Sequence, residues 1–249
     1  FWYAWRKQIP FFAEAGYRVW APDQRGYNLS DKPPQTAAYA LDMLGQDLLG
    51  LIAASGREQI TLVGHDWGGA VAWWVAAKYP QHVARLAILN APHNSVMAQQ
   101  LRRNVAQLRR SWYMFFFQMP WLPELATRAF NWYAAVRALK TSSRPGTFGA
   151  DDLDCYRRAW SQPGAFRAML NWYRAVFRYP PQSPLPRQIK VPTLLIWGAQ
   201  DHFFERGLAQ QSIDSCLNGQ LVFIEEATHW VQHEEAQQVN ELLSAFLSA

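Results

Sequence analysis

Cysteine is scarce in this chain: two residues in 249, Cys155 and Cys216. They share no metal-ligand or redox spacing, so they read as free thiols and leave no thiolate metal site or dithiol redox pair. Free thiols suit a reducing compartment, and the expected location is cytoplasmic. Long apolar runs are also missing. Arg, Lys, Gln or Asp interrupts each one before it reaches the length of a membrane-spanning helix. Contiguous charge is thin, because charged residues make up 17% and the net +5 is dispersed. Arg102, Arg103, Arg109 and Arg110 form the one local basic cluster. It reads as a solvated helix face, since a nucleic-acid surface needs more contiguous charge. No internal repeat or low-complexity tract is found. The first residue is Phe1 rather than Met, and the chain opens inside an amphipathic helix, so it is expected to be part of a longer protein. What is abundant is apolar and aromatic: half the residues are hydrophobic, 15% are aromatic, and there are 13 Trp. That length and composition suffice for one large α/β domain.

Residues 2–14 carry helical spacing (Trp2, Trp5, Ile9, Phe12) stopped at Gly16. Tyr17-Arg18-Val19-Trp20-Ala21-Pro22 reads as a strand. Helix is expected over 38–55, strand over 60–65, helix over 68–79 and strand over 83–90. Short continuous apolar runs between helices suit a parallel sheet. From 95 to 187 strand patterns vanish. That stretch is helical, aromatic and broken by Pro120, Pro123, Pro145 and Pro163, which reads as a lid over a sheet edge. Pro180, Pro181, Pro184 and Pro186 form a stiff return. Strand patterns resume at 191–197 and 221–224, and a helix closes the chain at about 234–247. The expected organisation is a core from 1–94 and 188–249 with a helical cap at 95–187.

Ile60-Thr61-Leu62-Val63-Gly64-His65-Asp66-Trp67-Gly68-Gly69-Ala70 is the most informative stretch. A β-branched run ends in small-X-Asp-X-small and a helical segment follows at once, the layout of a nucleophile elbow. Small residues at 64 and 68 are expected to permit the sharp turn. The tip is Asp66, where an esterase would carry Ser. A carboxylate attacks saturated carbon and leaves an ester that water can hydrolyse. Two more strand ends supply partners in nucleophile–acid–His order. Asp201 follows the run 194–200, and His229 follows the strand 221–224. The His would draw a proton from water while Asp201 holds its imidazole, and the Trp67 N–H would donate to the oxyanion. His233 is a rival base, expected instead at the final helix, facing solvent or capping. His65 is expected to point away from the tip as support.

With these residues placed, the chain resembles the α/β-hydrolase fold epoxide hydrolases over almost its whole length. The resemblance rests on Gly64-His65-Asp66-Trp67-Gly68-Gly69, on Asp23-Gln24-Arg25-Gly26-Tyr27 with Ser30-Asp31-Lys32-Pro33, and on Phe1-Trp2-Tyr3-Ala4-Trp5-Arg6. It implies a mostly parallel sheet flanked by helices with a helical lid insertion. It also implies two lid tyrosines that bind and protonate the epoxide oxygen. Tyr173 in Leu170-Asn171-Trp172-Tyr173-Arg174 matches one, and Tyr113 in Trp112-Tyr113-Met114-Phe115-Phe116-Phe117 the other, with Tyr133 and Tyr156 held in reserve. A phenol suits an oxygen that gains alkoxide character. Trp112, Phe117 and Trp230 are the candidate substrate-binding aromatics. The family's His-Gly-X-Pro loop and the strand it ends would precede Phe1. The first strands are therefore expected to be missing, with a gap between 17–22 and 60–65, and the fragment alone is expected to be unstable and inactive.

The resulting expectation is a hydrolase that turns an apolar epoxide and water into a vicinal diol through an Asp ester. No metal or organic cofactor is implied, nor any nucleic acid or membrane span, and a homodimer is allowed. The alternative is a haloalkane or haloacid dehalogenase using the same Asp; halide binding has no need of two phenols. The aromatic lid (Trp112, Phe115, Phe116, Phe117, Trp121, Trp132, Trp160, Phe166) points to an apolar substrate, part of it being lid core.

Overall fold

The computed structural model describes residues 1–183, 185–186 and 188–248. Four strands, β1 (Ile60–His65), β2 (Val83–Leu89), β3 (Thr193–Gly198) and β4 (Gly219–Ile224), pair in the order β1-β2-β3-β4, all parallel. A short 3-10 turn (Trp2–Trp5), α1 (Gln8–Glu14), a second 3-10 turn (Thr36–Tyr39) and α2 (Leu41–Ala54) precede the sheet. α3 (Trp67–Lys78) links β1 to β2. Between β2 and β3 lie α4 (Asn94–Arg103), α5 (Val105–Arg110), α6 (Trp112–Phe116), α7 (Leu122–Thr141), α8 (Ala150–Ser161) and α9 (Ala165–Arg178). α10 (Gly207–Ile213), α11 (Val231–Glu234) and α12 (Ala236–Ser248) complete the described chain.

The sheet is covered on both faces, and the strands show why. Leu86, Ile88, Leu195 and Trp197 pack with Trp73, Trp74 and Leu208 on one side. Their alternates Ala87, Leu89, Leu194 and Ile196 pack with Val231, Val239 and Leu243 on the other. Period-two alternation sends successive side chains to opposite faces, so a strand buried on both reads as an unbroken apolar run. Registered side by side, the carboxyl ends of β1, β3 and β4 open onto the same edge of the sheet.

One expected strand is not formed. Tyr17–Pro22 carries no ladder bonds. Its residues and those of β1, among them Val19, Trp20, Thr61 and Val63, line one cavity. Strand identity needs a hydrogen-bonded neighbour as well as β-branched composition, and among the described residues β1 pairs only with β2. The long helical segment is interrupted too: Ala129–Trp132 leaves helical geometry inside α7. That turn exposes Phe130 and packs Trp132 against Trp160 and Phe166, at ring separations of 5.8 and 5.1 Å. Of the proline return, Pro184 lies outside the described residues.

α9 is seated on the sheet domain through Trp172, Ala168 and Ala175, which pack with Tyr39, Leu44 and Val71. The Trp172 indole N–H donates to the Arg25 carbonyl at 3.0 Å. Gly26 makes this approach possible: its φ is +91°, and a Cβ there would fall 2.9 Å from the Ala168 side chain. This contact sets α9, and with it Tyr173, over the elbow.

Candidate active site

Asp66 sits between the end of β1 and the start of α3 at φ 50° and ψ −124°. That conformation is rare for a residue with a Cβ and stores roughly 1–3 kcal/mol. Crowding explains why small residues surround it. A Cβ on Gly64 would lie 2.7 Å from the Gly68 carbonyl oxygen, and one on Gly69 would run into the Ala91 side chain. At Gly68 the nearest obstacle is the Gln24 amide at 3.2 Å, the end of a flexible chain. The steric demand therefore falls on Gly64 and Gly69, rather than on 64 and 68 as the motif suggests.

His229 follows β4 and is 3% exposed. Its Nδ1 lies 2.9 Å from Asp201 Oδ2, and its Nε2 lies 3.8 Å from Asp66 Oδ1. The three residues foreseen from strand-end positions are thus brought together, with the imidazole between two carboxylates. Asp201 is buried and well supplied with donors. Asn90 Nδ2 donates to Oδ2 at 2.7 Å, and the N–H groups of Phe203 and Phe204 donate to Oδ1 at 2.6 and 3.0 Å. Burial pushes the Asp201 carboxyl up, but the His229 charge and the donated hydrogen bonds outweigh it and hold it below its ordinary value. For His229, burial disfavours the imidazolium, and Asp201 and Asp66 more than offset this, leaving its pKa raised. Asp66 is raised because desolvation outweighs the pull of His229 and the Trp67 N–H.

Neighbouring loops fix these groups in place. Glu234 accepts from the Thr228 N–H and hydroxyl, both at 2.7 Å, and from the Arg144 N–H at 2.8 Å, pinning the residue before His229. His65 supports as foreseen, its Nε2 2.9 Å from the His229 carbonyl oxygen. Burial pushes its pKa down to about 3, so the imidazole is neutral. His233 differs from expectation. It is 2% exposed, lies between Phe148 and Trp230, and has Arg6 Nη1 2.9 Å from its Nδ1. A guanidinium on one nitrogen, together with burial, holds its pKa far down, so it does not compete for the base position.

Above Asp66 stand two phenols. The Tyr173 ring is 5.0 Å from that of Trp67 and the Tyr113 ring is 5.8 Å from that of Tyr173. Tyr113 also contacts Phe203, which stacks edge-on to His229 at 4.9 Å. Burial raises both phenol pKa values and the Asp66 charge adds to the effect, so both stay protonated. Of the reserve tyrosines, Tyr133 is 58% exposed and Tyr156 is packed among Tyr3, Phe148 and Trp160. Tyr156 also borders the cavity, but the Asp66 charge does not act on it as it does on Tyr113 and Tyr173.

Asp66, His229, Tyr113 and Tyr173 line one cavity of ≈ 2190 Å³. Small-molecule sites usually hold about 300–1,000 Å³; this space is larger because it runs on into the slot beside β1. Phe117 and Trp230 line it as expected, while Trp112 borders it but is 65% exposed. Phe116, Trp160 and Phe166 also line it, whereas Phe115 and Trp121 face outward. Residues not foreseen are Asn90, Phe203 and Tyr27, the last a half-buried phenol whose pKa is raised by desolvation and the Asp66 charge. Tyr27 stood in a noted motif without a role, while Asn90 carried no signal beyond its place at a strand end. Among the described residues no cluster of three or more His, Cys, Asp or Glu could hold a metal.

The chain matches the family described as alpha/beta hydrolase fold over residues 2–236. It is 43% identical to the AB hydrolase superfamily protein YfhM of Bacillus subtilis, over 99% of this chain and 86% of that one. It is 37% identical to human Epoxide hydrolase 4, over 99% of this chain and 69% of that one. Among solved structures, an epoxide hydrolase of Bacillus megaterium in complex with an inhibitor superposes with a TM-score of 0.90 at 32% identity, covering 100% and 90% of the two chains. A mutant of a Bacillus megaterium epoxide hydrolase, complexed with the product (R)-3-[1]naphthyloxy-propane-1,2-diol, superposes at 0.89 with 31% identity and the same coverage.

Proposed function

The chain belongs to the α/β-hydrolase fold family, among its epoxide hydrolases, and from that premise we propose that it adds water to an apolar epoxide through an ester formed on Asp66. The observation that carries this reading is the pair of protonated phenols, Tyr113 and Tyr173, on the same cavity as the carboxylate. In the first step an Asp66 oxygen attacks one ring carbon and the C–O bond breaks. The departing oxygen takes a proton supplied through Tyr113 and Tyr173. An alkoxide is a stronger base than a phenolate, so the raised phenol pKa values do not stop the transfer.

In the second step His229 takes a proton from water, which adds to the Asp66 carbonyl carbon. The oxyanion faces the Trp67 N–H. Collapse expels the diol oxygen, which takes the proton held on His229, and the acid formed on Asp66 returns its proton to the phenolate, leaving the vicinal diol, the carboxylate and both phenols. Esterification removes the Asp66 charge, which adds to Asp201 in raising the His229 pKa, so forming the ester favours the neutral base that hydrolyses it. In this reading, residues 95–187 form the cap that carries the phenols and 1–94 with 188–249 form the core that carries the triad. The aromatic lining (Phe116, Phe117, Trp160, Phe166 and Trp230) favours an aryl or long-chain apolar epoxide. No step requires a cofactor.

The test pairs substrate choice with phenol removal. In a form that also carries the loop and strand expected before Phe1, the protein should hydrolyse styrene-type or aryl glycidyl epoxides and leave haloalkanes of similar size untouched. Tyr113→Phe and Tyr173→Phe should each slow ester formation roughly ten- to a hundredfold, and the double variant about 10²- to 10⁴-fold. Haloalkane turnover that survives in the double variant would instead favour the dehalogenase reading.

A further inference from the structure

One face of the helical segment points mostly away from this cavity, with Trp112 and Arg109 at its border. From Trp67 to Pro123 the chain contains no Asp or Glu. α5 and α6 follow one another across Ser111 and bury Gln107, Ser111 and Met114 at helical spacing. The opposite stripe therefore faces outward: Val105, Leu108, Trp112 and Phe115 are 62, 38, 65 and 46% exposed. The Phe115 ring lies 5.4 Å from that of Phe177, itself 42% exposed, which carries the apolar surface onto the end of α9. Arg109 lies beside this stripe on α5, and Arg102 and Arg103 end α4 just before the break at Asn104 that opens α5; all three are exposed and without an ion pair among the described residues. Arg110 differs, since it donates to the Asp201 carbonyl at 2.8 Å.

A contiguous apolar patch with a cationic border marks a surface that meets something. A second copy of this chain using the same patch is disfavoured, because a two-fold contact sets each copy's arginines against the other's, and the acid beside them, Glu205, is already engaged by Asn104 and Arg110. The missing charge has to come from the partner. Basic residues bordering Trp, Phe and Leu on one helical stripe match a surface whose outer layer is anionic and whose interior is hydrocarbon. No helix among the described residues is long and apolar enough to cross a membrane, so the contact is peripheral. We propose that the α5–α6 face docks the protein onto anionic lipid headgroups, with Trp112, Phe115 and Phe177 at the headgroup boundary and Arg102, Arg103 and Arg109 on the phosphates. This inference stands apart from the reaction proposed above and is tested without any substrate.

The experiment is co-sedimentation with phosphatidylcholine vesicles, with and without phosphatidylserine. The protein should pellet with the mixed vesicles and be released by added salt. Arg102→Gln/Arg103→Gln/Arg109→Gln should weaken partitioning on the order of a hundredfold, and Phe115→Ala/Phe177→Ala by about tenfold. Circular dichroism of each variant checks that the fold is kept. Failure to pellet, equal pelleting on phosphatidylcholine alone, or variants that bind like the parent would each overturn the proposal. So would a self-association that the same variants abolish while vesicles capture nothing.

Discussion

Replacing His229 by Gln is expected to halt the protein after one bond-forming step, with Asp66 esterified and the diol unreleased. On the proposed path, ring opening uses the Asp66 carboxylate and the phenols and leaves the imidazole idle. Hydrolysis of the ester does need it, because neutral water adds poorly to an ester carbonyl until a base draws off its proton. The 3.8 Å between Nε2 and Asp66 Oδ1 sets the imidazole beside the ester that would form there. Gln fills similar space and can still donate to Asp201, so the pocket should persist while the second step slows by about 10²- to 10⁴-fold. Intact-mass measurement after mixing with excess epoxide should show the protein heavier by one substrate, and digestion should place the increment on the peptide that contains Asp66. An unmodified protein with equally slowed turnover would mean that His229 acts before or during ring opening.

Asp66→Ala should remove turnover by a factor on the order of 10⁴ or more, as loss of a nucleophile does in enzymes whose catalytic groups act as a unit. Stability should move the other way or not at all. The carboxylate is held in a position where desolvation raises its pKa and where the backbone is already strained, so the fold gains little from it. Groups placed for chemistry at the expense of stability often behave so when removed. Thermal melting of Asp66→Ala should therefore give a midpoint equal to or above the parent's. A large drop would show that Asp66 is structural, and the loss of activity would then say nothing about a nucleophile.

The parts of this site that were legible in the sequence are those whose signals are local. A strand running directly into small-X-Asp-X-small and then a helix marks Asp66 within eleven residues, and Asp201 and His229 each follow a strand end in the expected order. Parallel strands in register carry such ends to one edge, so three separate local readings become one site. What was not legible depends on contacts between distant segments. Nothing near Asn90 says that its amide will meet Asp201. Gly69 rather than Gly68 is the crowded glycine because Ala91, on the loop after β2, faces it. Tyr17–Pro22 has strand composition, yet composition cannot supply the ladder partner that makes a strand. The lid aromatics could not be divided into cavity, core and surface, because the break within α7 resets the helical phase between Phe130 and Trp132. His233 is covered by Arg6, from the other end of the chain, and by Phe148 and Trp230, contacts its own neighbourhood does not announce.

The central claim is that an Asp66 ester lies on the path to product, and the origin of the oxygen added to the substrate tests it most directly. A single turnover is run in ¹⁸O-labelled water with the protein in excess over epoxide. The expected products are an unlabelled diol, its new oxygen donated by Asp66, and ¹⁸O in the Asp66 carboxylate of the recovered protein. Labelled diol and unlabelled Asp66 from that first turnover would mean that water attacks the epoxide directly and that no Asp66 ester forms.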